Sequence, residues 1–195
     1  MVSSPKPPSS NSPGSPGSPG WATPANGLTL ARLVMAPLCA AAIYNEWTLT
    51  AAGLFVAAVI SDFADGPLAR RRGEASRLGA FFDHATDATF VALGLLALGL
   101  RGALPLALPL LVVVAFVQYS IDSRVFARLP LRASALGRAN GIAYFVLLGV
   151  PLVRDALGLG WPGEGLVRFL AWVLVATTIA SMLDRLAALR RARTA

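Results

Sequence analysis

Long uncharged runs, separated by short charged segments, constrain the fold of this chain more than any other feature of its sequence. The longest of them, 102–121, has 20 residues and no polar stripe at helical period. A helix of about 20 apolar residues is long enough to cross the hydrocarbon core of a bilayer. Five shorter runs reach that length only if charged residues lie at their ends or within them: 33–45, 47–61, 88–100, 139–153 and 169–183.

These runs predict an all-α, polytopic membrane protein with six transmembrane helices. Their expected bounds are 28–45, 48–70, 79–100, 103–122, 138–155 and 166–188. Composition supports this class, because only 14% of the residues are charged and the mean hydropathy is +0.63. Soluble domains carry roughly 25% charged residues, so the composition argues strongly against an ordinary water-soluble enzyme. A soluble all-α bundle is the rival fold, and it would need the polar stripes that 102–121 lacks.

The first 20 residues differ in composition from the rest. They contain six Pro, seven Ser and three Gly, and Ser-Pro-Gly occurs three times in succession. Such a segment cannot bury a core, and it lacks the apolar stretch of a signal peptide. We therefore expect a disordered Pro/Ser/Gly tail over 1–23, followed by a six-helix membrane catalytic domain over 24–195.

The distribution of basic residues predicts the orientation in the membrane. With six spans and the N-terminus inside, 14 of the 17 Lys and Arg residues fall on the inner side. The three on the outer side are Arg101, Arg154 and Arg168. Cytoplasmic segments of membrane proteins carry such an excess of basic residues. Both termini are therefore expected in the cytoplasm, and the expected location is a bacterial inner (plasma) membrane with the active site on the cytoplasmic side.

Four aspartates at the cytoplasmic ends of the second and third predicted helices indicate function, because a carboxylate near a bilayer is costly. Asp62 and Asp65 are three residues apart, and Asp83 and Asp87 are four apart. Each pair therefore lies on one face of its helix. A short turn over 73–76 would make the two helices antiparallel neighbours. The four carboxylates should then converge on one small volume, where they are either protonated or bridged by cations.

The remaining composition restricts which cation that is. The chain has one cysteine, Cys39, and one histidine, His84, which excludes Cys-based and multi-histidine metal sites. Oxygen-only ligands favour a hard divalent ion: Mg²⁺, Mn²⁺ or Ca²⁺. Two such ions would neutralise four carboxylates and still attract a diphosphate, as in a two-metal phosphoryl-transfer site. Gly66 and Gly79 would let a ligand approach the backbone, and Arg70 could pair with a carboxylate or a phosphate.

These residues form one continuous pattern: Asp62-x-x-Asp65-Gly66-x-x-Ala69-Arg70, eight further residues, and Gly79-x-x-x-Asp83-x-x-x-Asp87. The pattern resembles the signature of the CDP-alcohol phosphotransferase (CDP-alcohol phosphatidyltransferase) family, and all eight fixed positions and the gap between them agree. In the first helix, Asn26-Gly-Leu-Thr29-Leu-Ala-Arg32, followed by Pro37, is similar to the Asn-x-Leu-Thr-x-x-Arg opening of that family. The resemblance covers about residues 24–190.

The resemblance implies a role for each matching residue. Two divalent cations, Mg²⁺ or Mn²⁺, would be held by Asp62, Asp65, Asp83 and Asp87. Asp87 would also be the catalytic general base. The cytidine and the diphosphate would lie against a set of nucleotide-binding residues: Asn26, Thr29, Asp65, Gly66, Ala69, Arg70 and Gly79.

The implied reaction belongs to phospholipid biosynthesis. An acceptor hydroxyl attacks the phosphorus of CDP-diacylglycerol, the phosphatidyl group is transferred, and CMP leaves. The expected acceptor is a phosphorylated polyol such as glycerol 3-phosphate. Arg124 and Arg138, near the membrane ends of the fourth and fifth helices, are candidates to hold its phosphate, because a guanidinium binds phosphate bidentately. Alternatives within the family are an inositol phosphate acceptor, or a donor of the CDP-choline or CDP-ethanolamine type with a lipid alcohol.

Two classes outside the family also place aspartates in a membrane. A membrane prenyltransferase would need a second Asp-rich motif, whereas 122–195 holds only three scattered aspartates. A small ion carrier would place its carboxylates near the middle of the membrane. The expected partners are therefore CDP-diacylglycerol or another CDP-alcohol, an alcohol acceptor and membrane lipids. A homodimer is left open, and no nucleic-acid partner is expected.

Overall fold

The computed structural model describes residues 24–72, 77–125 and 135–194, and these ranges form six α-helices without a strand. The helices are α1 (Pro24–Tyr44), α2 (Thr48–Arg72), α3 (Arg77–Leu100), α4 (Ala107–Val125), α5 (Ala135–Ala156) and α6 (Glu164–Thr194). The prediction of an all-α fold with six helices is confirmed. Residues 1–23, which include the predicted tail, lie outside the described ranges.

The predicted start of the fourth helix was wrong by four residues. The uncharged run 102–121 begins in a turn, because Gly102 adopts a φ of 75° and Pro105 follows it. A positive φ suits glycine, which has no Cβ to clash with the backbone. The apolar part of α4 is therefore Ala107–Ile121, shorter than a full span. The absence of charge indicated an apolar environment but not where the backbone turns.

The helices belong to an integral membrane protein. Three described segments are long and apolar enough to cross a membrane: Phe81–Leu100, Ala135–Ala156 and Glu164–Ala188. Large apolar side chains also point outward from the bundle, since Leu110, Ile142 and Phe169 are 65%, 70% and 62% exposed. Such a surface is unfavourable in water and is matched by lipid chains. The rival soluble bundle does not account for it.

The six helices pack as a closed ring in the order α1, α2, α5, α6, α4 and α3, and α3 and α5 also touch inside the ring. Small side chains fill the contact between α1 and α2, where Ala36, Cys39, Ala42, Ala51 and Ala58 are all buried. Small residues let membrane helices approach closely, because lipid does not drive apolar side chains together as water does. The close approach of α1 and α2 follows from these small side chains.

The helix ends away from the aspartates are closed by one backbone motif used three times. At the end of α1, the amide of Trp47 donates to the carbonyl of Ala42, and the amide of Glu46 donates to that of Ile43. The same pair of bonds ends α3 around Gly102 and α5 around Gly158. This Schellman motif satisfies carbonyls that a helix end leaves without partners. We call this end of the bundle, formed by 45–47, 101–106 and 157–163, the capped end.

Replacement of Gly149 by Ala is expected to destabilise the bundle. A Cβ atom on Gly149 would lie 2.5 Å from two atoms of the Phe55 ring, where α5 meets α2. Overpacking of this kind costs about 1–3 kcal/mol. The matched control is Gly53→Ala on α2, because a Cβ atom there meets nothing within 4 Å. Thermal unfolding in detergent should show a lower Tm for Gly149→Ala than for Gly53→Ala, and equal values would contradict the described contact.

Candidate active site

Three aspartates from two helices form one acidic group in the structure. Asp62 lies on α2, and Asp83 and Asp87 lie one turn apart on α3. One carboxylate oxygen of each lies within 4.8 Å of the others. We call these three residues the acidic triad. The helical spacing thus brings together the described carboxylates that the sequence predicted would converge.

The acidic triad is assembled around α1, which packs against both α2 and α3. The sequence had suggested that α2 and α3 are direct neighbours. The described contacts place each of them against α1, and α2 and α3 also meet directly where the rings of Phe55 and Phe90 lie 6.3 Å apart. The side chain that reaches the triad from α1 is Arg32.

The guanidinium of Arg32 contacts all three carboxylates. Its Nη1 atom donates to Oδ1 of Asp83 at 2.9 Å and to Oδ1 of Asp87 at 2.7 Å. Its Nη2 atom lies 3.3 Å from Oδ1 of Asp62. The Arg32 side chain is only 1% exposed, which makes it a buried charge. Buried charges are tolerated when they are paired and hydrogen-bonded, and these contacts supply that pairing.

The composition of this cluster fits a hard divalent cation. Three carboxylates and one guanidinium carry three negative charges and one positive charge, which leaves a formal charge of −2. All the anionic donors are oxygen atoms, the ligands that Mg²⁺ and Mn²⁺ prefer. The oxygen donors and the net charge of the acidic triad therefore fit a divalent metal ion.

The three carboxylates differ in depth. The side chains of Asp62 and Asp83 are 45% and 42% exposed, whereas that of Asp87 is 19% exposed. The cluster therefore opens to the surroundings through Asp62 and Asp83. Asp87 lies deepest, beside Arg32.

Some of the other predicted site residues are described and some are not. Thr29 is half-buried on α1, one turn before Arg32, and Gly79 lies on α3, one turn before Asp83. These positions place both at the level of the acidic triad or just beyond it. Six predicted residues have side chains outside the described part of the chain: Asn26, Asp65, Gly66, Ala69, Arg70 and Arg124. The fourth carboxylate, Asp65, therefore remains a prediction.

Arg138 is exposed near the start of α5. Within the described residues, no ion pair or hydrogen bond joins it to the acidic triad. Two residues further along, Asn140 is 5% exposed, and its Nδ2 atom has no hydrogen-bond partner among the described residues. The structure does not bring Arg138 into the cluster, so its role toward an acceptor also remains a prediction.

Aromatic side chains fix the other face of α3. The ring of His84 lies 5.8 Å from that of Phe116 and 5.1 Å from that of Tyr119, both on α4. The guanidinium of Arg185 on α6 lies 5.2 Å from the centre of the Tyr119 ring. A cation over an aromatic face is attracted by the ring quadrupole. His84 thus helps to anchor α3 against α4 while Asp83 and Asp87 face Arg32.

Arg32 is the residue of the cluster that sequence analysis did not assign to the site. It was noted only as part of the pattern in the first helix. The available signal was its isolation, because it is the one charged residue between Pro24 and Tyr44. A charge within an otherwise apolar membrane helix requires a partner, and the aspartates were the nearest unexplained anions.

The comparison with known families matches most of the chain. A sequence model described as CDP-alcohol phosphatidyltransferase covers residues 22–183. The chain belongs to the CDP-alcohol phosphatidyltransferase family. The resemblance drawn from the aspartate pattern is thereby confirmed. The matched range includes every described residue of the acidic triad and Arg32.

Curated relatives in this family match a shorter stretch. The chain is 39% identical over 87 residues to a probable phosphatidylglycerophosphate synthase of Mycobacterium tuberculosis, which covers 42% of each protein. It is 44% identical over 71 residues to a CDP-diacylglycerol–glycerol-3-phosphate 3-phosphatidyltransferase of Sodalis glossinidius, covering 35% of this chain and 39% of the relative. A cardiolipin synthase (CMP-forming) of Oryza sativa is 38% identical over 74 residues, 36% of this chain and 22% of the relative. The chain thus spans about two fifths or less of these relatives.

The ion pair between Arg32 and Asp87 is expected to show strong coupling in a double-mutant cycle. Arg32→Met leaves three carboxylates without their guanidinium, and Asp87→Leu removes the shortest contact of Arg32. Breaking one side of a buried ion pair costs on the order of 3–5 kcal/mol, and replacing both sides with apolar residues costs much less. Asp62 and Asp83 still lack the guanidinium in the double variant, which should therefore be less stable than the wild type. Its unfolding free energy in detergent should nevertheless exceed the value that the sum of the single losses predicts. Additive losses would contradict the coupling.

Proposed function

We propose that this protein transfers a phosphatidyl group from CDP-diacylglycerol to the hydroxyl of a phosphorylated polyol, with glycerol 3-phosphate as the preferred acceptor and CMP as the leaving group. The observation that carries the proposal is the acidic triad closed around Arg32, in a chain of the CDP-alcohol phosphatidyltransferase family. The names of the relatives from Mycobacterium tuberculosis and Sodalis glossinidius support this acceptor.

In this proposal Asp62, Asp65, Asp83 and Asp87 hold two divalent cations, Mg²⁺ or Mn²⁺. When bound, such ions neutralise charge on a diphosphate and on its leaving group. Asn26, Thr29, Gly66, Ala69, Arg70 and Gly79 complete the binding surface for the nucleotide and the diphosphate. The small residues among them leave room for the ligand beside the backbone.

Asp87 is proposed as the general base. Its carboxylate accepts the proton of the acceptor hydroxyl as the oxygen attacks the phosphorus of the phosphatidyl group. The bond between that phosphorus and the bridging oxygen breaks, and CMP leaves with the bridging oxygen. The depth of Asp87 supports this role, since its side chain is the least exposed of the acidic triad.

The proposed location is a bacterial inner membrane with the acidic triad on the cytoplasmic side. The support is the predicted distribution of basic residues, with 14 on the inner side and three on the outer side. CDP-diacylglycerol reaches such a site from the membrane, and a water-soluble acceptor reaches it from the cytoplasm. Membership of the family favours this group transfer over the prenyltransferase and ion-carrier alternatives.

Release of CMP from CDP-diacylglycerol by the purified protein tests the proposal. We expect turnover with glycerol 3-phosphate, abolition by EDTA and recovery with Mg²⁺ or Mn²⁺. Asp87→Asn should lower kcat by on the order of 100- to 10,000-fold, the usual contribution of a positioned base. The matched control is Asp184→Asn, because Asp184 is an exposed carboxylate on α6 outside the triad. Full turnover in excess chelator would contradict the metal-dependent mechanism.

The same assay decides among acceptors and donors. Turnover with inositol phosphate or phosphatidylglycerol but not with glycerol 3-phosphate would reassign the acceptor. Turnover of CDP-choline or CDP-ethanolamine with a lipid alcohol would reassign the donor.

Arg138→Ala is expected to raise the KM for glycerol 3-phosphate while the KM for CDP-diacylglycerol stays unchanged. A charged hydrogen bond to phosphate contributes roughly 1.5–3 kcal/mol, so its loss should raise KM at least about tenfold. Arg190→Ala is the control, because Arg190 is also an exposed arginine, near the end of α6. An unchanged KM for the acceptor in Arg138→Ala would remove Arg138 from the acceptor site.

A further inference from the structure

We propose that Arg32 is an internal counter-cation that competes with divalent metal ions for the carboxylates of the acidic triad and so sets the affinity of the site for metal. The inference deepens the proposed function and rests on it. It assigns Arg32 an effect on the binding of metal by the three carboxylates rather than a role in the chemical step.

The contacts of Arg32 provide the first argument. It contacts Oδ1 of Asp62, Asp83 and Asp87, which are also the three members of the group that could hold a metal ion. A divalent cation bound by several carboxylates uses the same kind of oxygen lone pairs that the guanidinium uses. The guanidinium and a metal ion bound to these carboxylates are also like charges a few ångströms apart, so they repel each other. We therefore infer that close binding of a metal ion weakens part of the pairing of Arg32.

The burial of Arg32 provides the second argument. The side chain is 1% exposed, and a guanidinium does not lose its proton in a protein. Its positive charge is therefore permanent and cannot be relieved by water. The guanidinium charge is neutralised by its ion pairs with these carboxylates. The free energy gained from metal coordination is therefore reduced by the free energy lost when those ion pairs weaken.

The alternative role for Arg32 predicts the opposite effect. If its guanidinium only holds the three carboxylates in the geometry that a metal requires, its removal should weaken metal binding. If it competes with the metal, its removal should strengthen binding. The sign of the change in metal affinity therefore distinguishes the two roles.

The test is direct binding of Mn²⁺ to the purified full chain in detergent, followed by electron paramagnetic resonance without substrate. We expect Arg32→Gln to lower the Kd for Mn²⁺ at least about tenfold, the equivalent of one lost charged hydrogen bond. Arg32→Lys keeps the positive charge but loses the planar guanidinium that contacts all three carboxylates. Its Kd for Mn²⁺ should fall between those of the wild type and Arg32→Gln. The control is Arg101→Gln at the capped end, where Arg101 pairs with Glu46 at 2.8 Å, and its Kd should equal that of the wild type.

The outcomes separate this inference from the proposed function. An equal or higher Kd in Arg32→Gln, with Mn²⁺ binding retained, would overturn the competition and leave the proposed metal-dependent transfer standing. Absence of Mn²⁺ binding in all four proteins would overturn both. Tighter binding in Arg32→Gln, with Arg101→Gln unchanged, would support the competition whatever the effect of Arg32→Gln on turnover.

Thermal unfolding gives a second measurement. In EDTA, Arg32→Gln should have a lower Tm than the wild type, because three carboxylates then repel one another without the guanidinium. Addition of Mn²⁺ should raise its Tm more than it raises that of the wild type. A smaller rise than in the wild type would overturn the inference. Where Arg32→Gln does not fold in EDTA, the comparison of Arg32→Lys with the wild type applies the same test.

Discussion

The buried guanidinium of Arg32 joins three helices at one point. It extends from α1 and contacts Asp62 on α2 and Asp83 and Asp87 on α3. Because this charge is permanent and shielded from water, the three helices must close around it wherever the chain is folded. The small side chains along α1 contribute to this closure, because they let α2 and α3 approach closely enough for the short aspartate side chains to reach the guanidinium. The acidic triad therefore depends on α1 as much as on the helices that carry it.

Sequence analysis predicted the helices well, because a membrane span must satisfy its backbone internally and exclude most charges. It failed where the chain turns without a charged residue. Gly102 and Pro105 end one helix and delay the next inside the longest uncharged run. Glycine and proline are typical of turns, but a prediction based on hydropathy does not register where the backbone turns. The sixth helix was predicted to end at residue 188, but α6 continues to Thr194. Its last residues are mainly Ala, Leu and Arg, which favour a helix even where the chain has left the membrane.

The acidic triad was predictable because the period of a helix is fixed. Once Asp83 and Asp87 are placed on α3, their spacing requires them to share a face. Arg32 was not assigned to the site, because no helical periodicity links it to aspartates on other helices, two of which are 51 and 55 positions away along the chain. Its partners become evident only when one asks which anion can neutralise a lone charge in an apolar helix. The position of Arg138 relative to the triad depends on how helices pack and on 126–134, which lie outside the described residues, and spacing alone does not determine it.

The arginines at the capped end bear on how the protein enters the membrane. In the proposed orientation Arg101, Arg154 and Arg168 are the basic residues that must be translocated during biogenesis. Arg154 donates to the adjacent Asp155 at 2.7 Å, a pairing that needs no contact with another helix. Arg101 forms a salt bridge with Glu46, and Arg168 donates a hydrogen bond to the carbonyl of Gly102. Both contacts join segments that are far apart in the sequence. Neutralisation of Arg101 and Arg168 therefore depends on contacts between distant segments, whereas that of Arg154 is local to α5.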